Sequence, residues 1–260
     1  MVFLAEKAVT RKRVADLIER FPFYVDEFDR NPPFSLEQTE AHIRTIQLRR
    51  KFGAIGQALE DERFQQSLYT TLRLWRIGKR GSKLVPFGKF MDALRKRCDE
   101  LSGLERDKLD ENLQVEVATA QLWKLVETLG IVANMNTLVA GSKCLHHLLP
   151  DLVPPMDREY TQTFFGWANP EFQYRPKECF AYAFQQFWGI AKVVKPEGYI
   201  GAGWRSSGPK ILDNAVVAFC RVNGLESSNR KYRRRQQELI QKGRALLREM
   251  KDGRNSAFEV

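Results

Sequence analysis

The sequence lacks the marks of a membrane protein, a metalloprotein and a disulfide scaffold. No run of about 18 apolar residues occurs, so neither a membrane span nor a membrane partner is expected. The four cysteines, Cys98, Cys144, Cys179 and Cys220, form no Cys-x-x-Cys pair. They sit in apolar or helical contexts, as buried free thiols of a reducing compartment do. The three histidines, His42, His146 and His147, are not at ligand spacing from any cysteine, which argues against zinc, and the cysteine run of an iron–sulfur cluster is missing. No metal and no cofactor are therefore expected. Acidic residues are scattered, with no compact carboxylate motif for a metal-dependent nuclease. With 17 glycines and 11 prolines the composition is not that of a disordered chain. The opening Met-Val-Phe-Leu-Ala-Glu-Lys has no apolar stretch of signal-peptide length, and a cytoplasmic location is expected. No repeat of fixed period is visible, and alternating strand patterns are nearly absent.

Positive charge is abundant. The formal net charge is +10 and the isoelectric point is near 9.5, a balance that suits a partner rich in negative charge, most commonly nucleic acid. The bland alternative is a merely basic surface. From Asn229 to Lys251 nine Lys or Arg residues face two Glu, and Arg230, Lys231, Arg233, Arg234 and Arg235 cluster at the start. Leu239, Ile240, Leu246, Leu247 and Met250 would give that stretch one apolar face, so a docked helix would turn its basic side to DNA phosphates.

Helical periodicity dominates, and the expected fold is all-α. Ser35 with Gln38 forms a capping-box pattern opening a helix to about Lys51. Further helices are expected over Arg11 to Arg20, Asp61 to Ile77, Pro86 to Leu101, Asp110 to Leu129, Met135 to Leu149, Asp157 to Phe165, Lys177 to Val194, Pro209 to Val222 and Arg230 to Met250. Gly78 to Gly81, Trp167 to Pro176 and Pro196 to Gly208 read as irregular, and Val193 to Ile200 as a piece that could be extended. The 260 residues suffice for one large domain or two helical lobes with a cleft between them, 1–130 and 131–260, the second carrying the segment described next.

That segment runs Val139-Ala140-Gly141-Ser142-Lys143-Cys144-Leu145-His146-His147-Leu148-Leu149-Pro150-Asp151-Leu152-Val153-Pro154-Pro155-Met156-Asp157-Arg158-Glu159-Tyr160. It resembles the active-site segment of helix-hairpin-helix-type DNA glycosylases: a glycine-containing hairpin, a helix opening with lysine, a turn, then prolines leading to an aspartate and another helix. It is nearer still to a bacterial group with a Ser-Lys-x-Leu-His-x-Leu-x-Pro-x-x-x-Pro-x-x-Asp pattern. Gly208-Pro209-Lys210-Ile211-Leu212-Asp213-Asn214-Ala215 is similar to a second element of that group. The resemblance implies a helical DNA glycosylase acting on double-stranded DNA. It extends to antiphage enzymes that remove glucosylated hydroxymethylcytosine, leaving an abasic site. It further implies that Asp157 is the catalytic carboxylate, that Lys143 matches the lysine used as nucleophile by bifunctional members, and that Gly141 and Ser142 lie at the DNA backbone. The spacing of 14 residues from Lys143 to Asp157 is shorter than the bifunctional pattern, which favours a monofunctional enzyme.

The residues carry a reading of their own. Cleaving a glycosidic bond builds positive charge on the sugar, and a fixed carboxylate both stabilises it and activates water. Pro154 and Pro155 stiffen the approach to Asp157 at a helix start, where an aspartate is also a common N-cap. A lysine desolvated near an apolar helix start loses proton affinity and becomes nucleophilic, whereas one that reaches solvent does not. A buried, hydrogen-bonded state is the simpler reading for His146 and His147. A flipped base needs aromatic and polar walls; Arg158 and Tyr160 beside the aspartate, with Trp204, Arg205 and Lys210 from the later glycine-rich stretch, are the candidates. Phe164 and Phe165 read as core. The alternative functions are a DNA- or RNA-binding helical module without catalysis and a basic scaffold for partners. An enzyme needs Lys143 or Asp157 to face a cleft shared with Trp204 or Arg205; a binder needs only the basic face.

Overall fold

A computed structural model of the chain describes residues 8–77, 83–134 and 137–227, with residue 237 and residues 239–241 besides. The fold is all-α: among the described residues regular structure is helical, with no strand and one isolated antiparallel bridge between Leu84 and Val132. None of these helices is long and apolar enough to cross a membrane. The Gly78 to Gly81 loop and the Arg230 to Arg235 cluster lie outside the described residues.

Local chemistry starts the helices. α1 (Ala8–Glu19) is followed by α2 (Phe21–Arg30), whose Pro22 sits in the first turn, where no intrahelical N–H is needed. In α3 (Leu36–Arg50) the capping box forms: Ser35 Oγ accepts the Gln38 N–H at 3.3 Å and Gln38 Oε1 accepts the Ser35 N–H at 3.0 Å. The short α4 (Ile55–Glu60) leads to α5 (Glu62–Leu74), capped by Asp61, which accepts the Phe64 N–H at 2.8 Å. The helix expected from Pro86 to Leu101 is two, α6 (Phe87–Arg95) and α7 (Cys98–Gly103); the break lets Phe90, Met91 and Leu94, then Leu101, all reach the core. α8 (Val115–Thr128), α9 (Thr137–Leu148) and α10 (Thr161–Phe164) follow. The Trp167 to Pro176 stretch, expected irregular, holds α11 (Asn169–Tyr174). α12 (Pro176–Val194) begins on a proline and ends at Lys195, a left-handed residue with φ 49°. The extended piece expected over Val193 to Ile200 is instead the end of α12 and a 3₁₀ turn, Pro196–Tyr199, because Pro196 ends the α-helical ladder.

The last described helix, α13 (Gly208–Val222), is the axis of the molecule: every residue from Gly208 to Cys220 is buried. Ser207 caps it through the Lys210 N–H at 3.3 Å. α2 lies along α13, and α10, α12 and the 3₁₀ turn also pack on it. α9 packs on α8, α5 and α3. These contacts cross the expected boundary between residues 130 and 131, and one buried apolar cluster runs from Leu17 to Cys220.

Candidate active site

The site is built on the junction between α9 and the chain that leaves it. Gly141 lies inside α9, where a Cβ would come within 3.1–3.2 Å of Val126 in α8, including its Cα; the glycine is there for close helix packing. Ser142 is fully buried, and its Oγ accepts the Met156 N–H at 3.1 Å while donating to the Val139 carbonyl at 3.3 Å. These two residues therefore correct the expectation of a phosphate-binding hairpin. They are buried in a continuous helix, and they fasten α9 to α8 and to the stretch that delivers Asp157.

Asp157 is half-buried and performs one structural task visibly. Its Oδ1 accepts the Tyr160 N–H at 2.7 Å, and its own N–H donates to Thr161 Oγ1 at 3.0 Å, so it caps the turn entering α10. Oδ2 has no hydrogen bond among the described residues. From α1, Arg13 donates to the carbonyls of Thr163 and Phe164 at 2.6 and 2.8 Å, and Thr10 to that of Phe165 at 3.0 Å, holding the far end of α10.

Asp157 opens onto a pocket of about 630 Å³, whose walls also include Lys143, Arg158, Tyr160, Lys210 and Asp213. Phe34, Gln38, Trp75 and Arg76 line it as well. Lys143 Nζ lies 5.5 Å from the centre of the Trp75 ring, a cation–π distance.

The most buried charged pair among the described residues lies in this wall. Lys210 is 1 % exposed, and its Nζ is 2.5 Å from Asp213 Oδ2, one helical turn on. Four rings surround the ammonium: Trp204 at 4.8 Å, Phe34 and Trp75 at 5.6 Å and Phe28 at 5.8 Å. Burial lowers the proton affinity of Lys210, opposed by Asp213 and reinforced by the nearby Lys143 charge. Burial raises that of Asp213, opposed by Lys210 and reinforced by the Asp157 charge. Both shifts favour moving the shared proton from nitrogen towards oxygen.

Beneath this wall all three histidines meet. His147 Nδ1–H donates to the Lys143 carbonyl at 2.8 Å, which leaves Nε2 as an acceptor. His42 Nδ1–H donates to that Nε2 at 3.1 Å, and Ser206 Oγ–H then donates to His42 Nε2 at 2.9 Å. His146 Nδ1–H donates to the Val153 carbonyl at 2.8 Å. This assignment, made from the carbonyl acceptors outward, keeps every ring neutral. The His42 ring stacks on Trp204 at 5.0 Å and 13°, and on His146 at 5.6 Å and 13°. Burial, followed by the effect of the neighbouring histidines, holds His42 and His146 well below the ordinary imidazole range; burial takes His147 down to about 4. No group of His, Cys, Asp and Glu among the described residues could hold a metal ion.

Of the residues singled out in the sequence, the fold thus brings Lys143, Asp157, Arg158, Tyr160 and Lys210 to one pocket. Trp204 lies behind the wall rather than in it, 5 % exposed and stacked on His42. Arg205 is not at the pocket: it pairs with Asp26 at 2.8 Å and Asp29 at 2.6 Å on α2. Its expected role in holding substrate is corrected to one of fastening the glycine-rich loop. Phe164 and Phe165 are core, fully buried. Sequence reasoning missed Phe34, Gln38, Trp75, Arg76 and Asp213. Only Asp213 carried a signal, standing three residues after Lys210 on the same helix face. No protein-family model, no curated protein and no solved structure matches the chain.

Proposed function

We propose that the protein is a DNA glycosylase that flips a modified base out of double-stranded DNA and excises it, leaving an abasic site. The observation that carries this reading is the convergence of Asp157, with Oδ2 uncommitted, and Lys143 on one aromatic-walled pocket in a chain of net charge +10. A pocket of about 630 Å³ lies within the range of small-ligand sites, roughly 300–1,000 Å³, and takes a nucleobase bearing a substituent. The base enters between Phe34, Trp75 and Tyr160, the kind of wall that holds extruded bases. Asp157 stands beside the sugar. As the base leaves with the electron pair of the glycosidic bond, Oδ2 stabilises the cationic sugar and takes a proton from the water that adds to C1′. Lys143 supplies a positive charge for the phosphate or the departing base. Glucosylated hydroxymethylcytosine is the base to test first.

The test is incubation with duplexes containing normal cytosine or glucosylated hydroxymethylcytosine, followed by mass analysis of released bases. Release from the modified duplex by the wild type, lost in Asp157→Asn, is expected. DNA binding with no base released from any duplex would overturn catalysis and leave a nucleic-acid-binding module.

A further inference from the structure

We propose that Asp213 determines which base the pocket holds: its Oδ1 accepts a hydrogen bond from the exocyclic amino group of the extruded base and rejects the oxo counterpart. The proposal rests on the reading of the pocket as the place that receives a flipped base, and it concerns how one base is told from another there.

Asp213 is 6 % exposed and still lines the pocket. Its Oδ2 is taken by Lys210, and its Oδ1 has no hydrogen-bond partner among the described residues. That oxygen is not sealed inside the protein either, so the opening it meets is the pocket. A largely buried acceptor left unpaired is costly, and a ligand that brings a donor to it recovers the loss. Two other polar side chains of the lining do not compete for this task. Gln38 is committed at both ends: Oε1 accepts the Ser35 N–H at 3.0 Å and Nε2 donates to the Leu74 carbonyl at 2.8 Å. Asp157 is only half-buried, and its Oδ1 caps the turn entering α10.

The pair with Lys210 aims the free oxygen. Asp213 stands on α13, where every residue from Gly208 to Cys220 is buried, and Lys210 Nζ lies 2.5 Å from Oδ2. One oxygen is thereby held, and with it the plane of the carboxylate. Lys210 is a positioning residue in this arrangement: four rings enclose its ammonium, and its partner is Asp213. The shared proton lies between Nζ and Oδ2 whichever atom carries it, so Oδ1 carries none and can only accept. The amino group of a cytosine-type base supplies an N–H to such an acceptor. A uracil-type base puts a carbonyl oxygen in the same place, so two sets of lone pairs meet with no proton between them. A site built around a hydrogen bond rejects an analogue that leaves its buried polar group unpaired far more strongly than an apolar pocket rejects a change of one methylene.

The test uses duplexes carrying glucosylated hydroxymethylcytosine or glucosylated hydroxymethyluracil, each opposite guanine and each on a 2′-fluorinated sugar that resists cleavage, so that affinity is measured without excision. The uracil-type base pairs less well with guanine and is easier to extrude, so pairing works against the expected order. The wild type should bind the cytosine-type duplex about 10-fold or more tighter. In Asp213→Asn the amide oxygen turns to the Lys210 ammonium and the amide NH₂ faces the pocket, a donor in place of an acceptor. The preference should then vanish or invert, whereas a loss of stability alone would weaken both duplexes alike. Wild-type affinities that are equal or favour the uracil-type base overturn the proposal, as does a folded Asp213→Asn protein that keeps the wild-type preference. If the variant does not fold, the wild-type ratio decides. Base release from the unfluorinated duplexes, measured separately, judges excision itself: release with equal affinities sinks only the role of Asp213, and the preference without release sinks only the excision reading.

Discussion

Lowering the pH from 7.5 to 5 should destabilise this protein through its histidines. All three are buried in one network, and no others exist to add to the titration. A histidine whose folded pKa is depressed leaves stability untouched above its unfolded value, because both states are then neutral. Below that value the unfolded chain gains a proton that the folded chain refuses, so stability falls as pH drops from about 6.5 towards the folded pKa. For His147, taken from 6.5 to about 4, linkage gives a loss of about 2 kcal/mol at pH 5, with almost none at pH 7.5. His42 and His146, displaced in the same direction by burial, add to it. With a urea dependence near 3 kcal/mol per M, the His147 contribution alone lowers the unfolding midpoint by roughly 0.7 M. Equilibrium urea unfolding at pH 7.5, 6 and 5 measures the shift, and the imidazole proton resonances of the folded protein should stay flat over the same range. A midpoint that does not move, or a folded-state histidine titrating near 6.5, would refute the neutral network.

Other perturbations separate packing from chemistry. Asp157→Asn retains the capping oxygen but removes the charge, so base release should fall by about 100-fold or more, on the order of 3 kcal/mol, while the melting temperature changes little; unchanged turnover in a folded variant would leave Asp157 as a cap only. Gly141→Ala places a Cβ against the Val126 backbone and should cost about 1–3 kcal/mol in urea unfolding; a neutral effect would mean that α8 and α9 can separate freely. Neutralising Arg233, Arg234 and Arg235 together should weaken DNA affinity across sequences and flatten its dependence on log salt by about 3; an unaltered slope removes this cluster from the DNA surface.

Helix type, and most helix positions, could be read from the sequence because they depend on neighbours a few residues apart. The Ser35–Gln38 capping box and the apolar spacing of α5 both act within one or two turns. Asp157 was legible for the same reason, since both its prolines and its capping partners are local. The pocket was not. Part of its lining comes from Phe34, Gln38 and Trp75, more than 60 residues before Lys143 in the chain, and no periodicity encodes which helix face meets which. The meaning of Gly141 also changed with packing: in the sequence it reads as a hairpin, and against Val126 it is a point of helix contact. Burial decided the rest. Lys210, Asp213 and the three histidines are ordinary polar residues in the sequence. Only the tertiary structure removes them from water, and that desolvation is what shifts their protons.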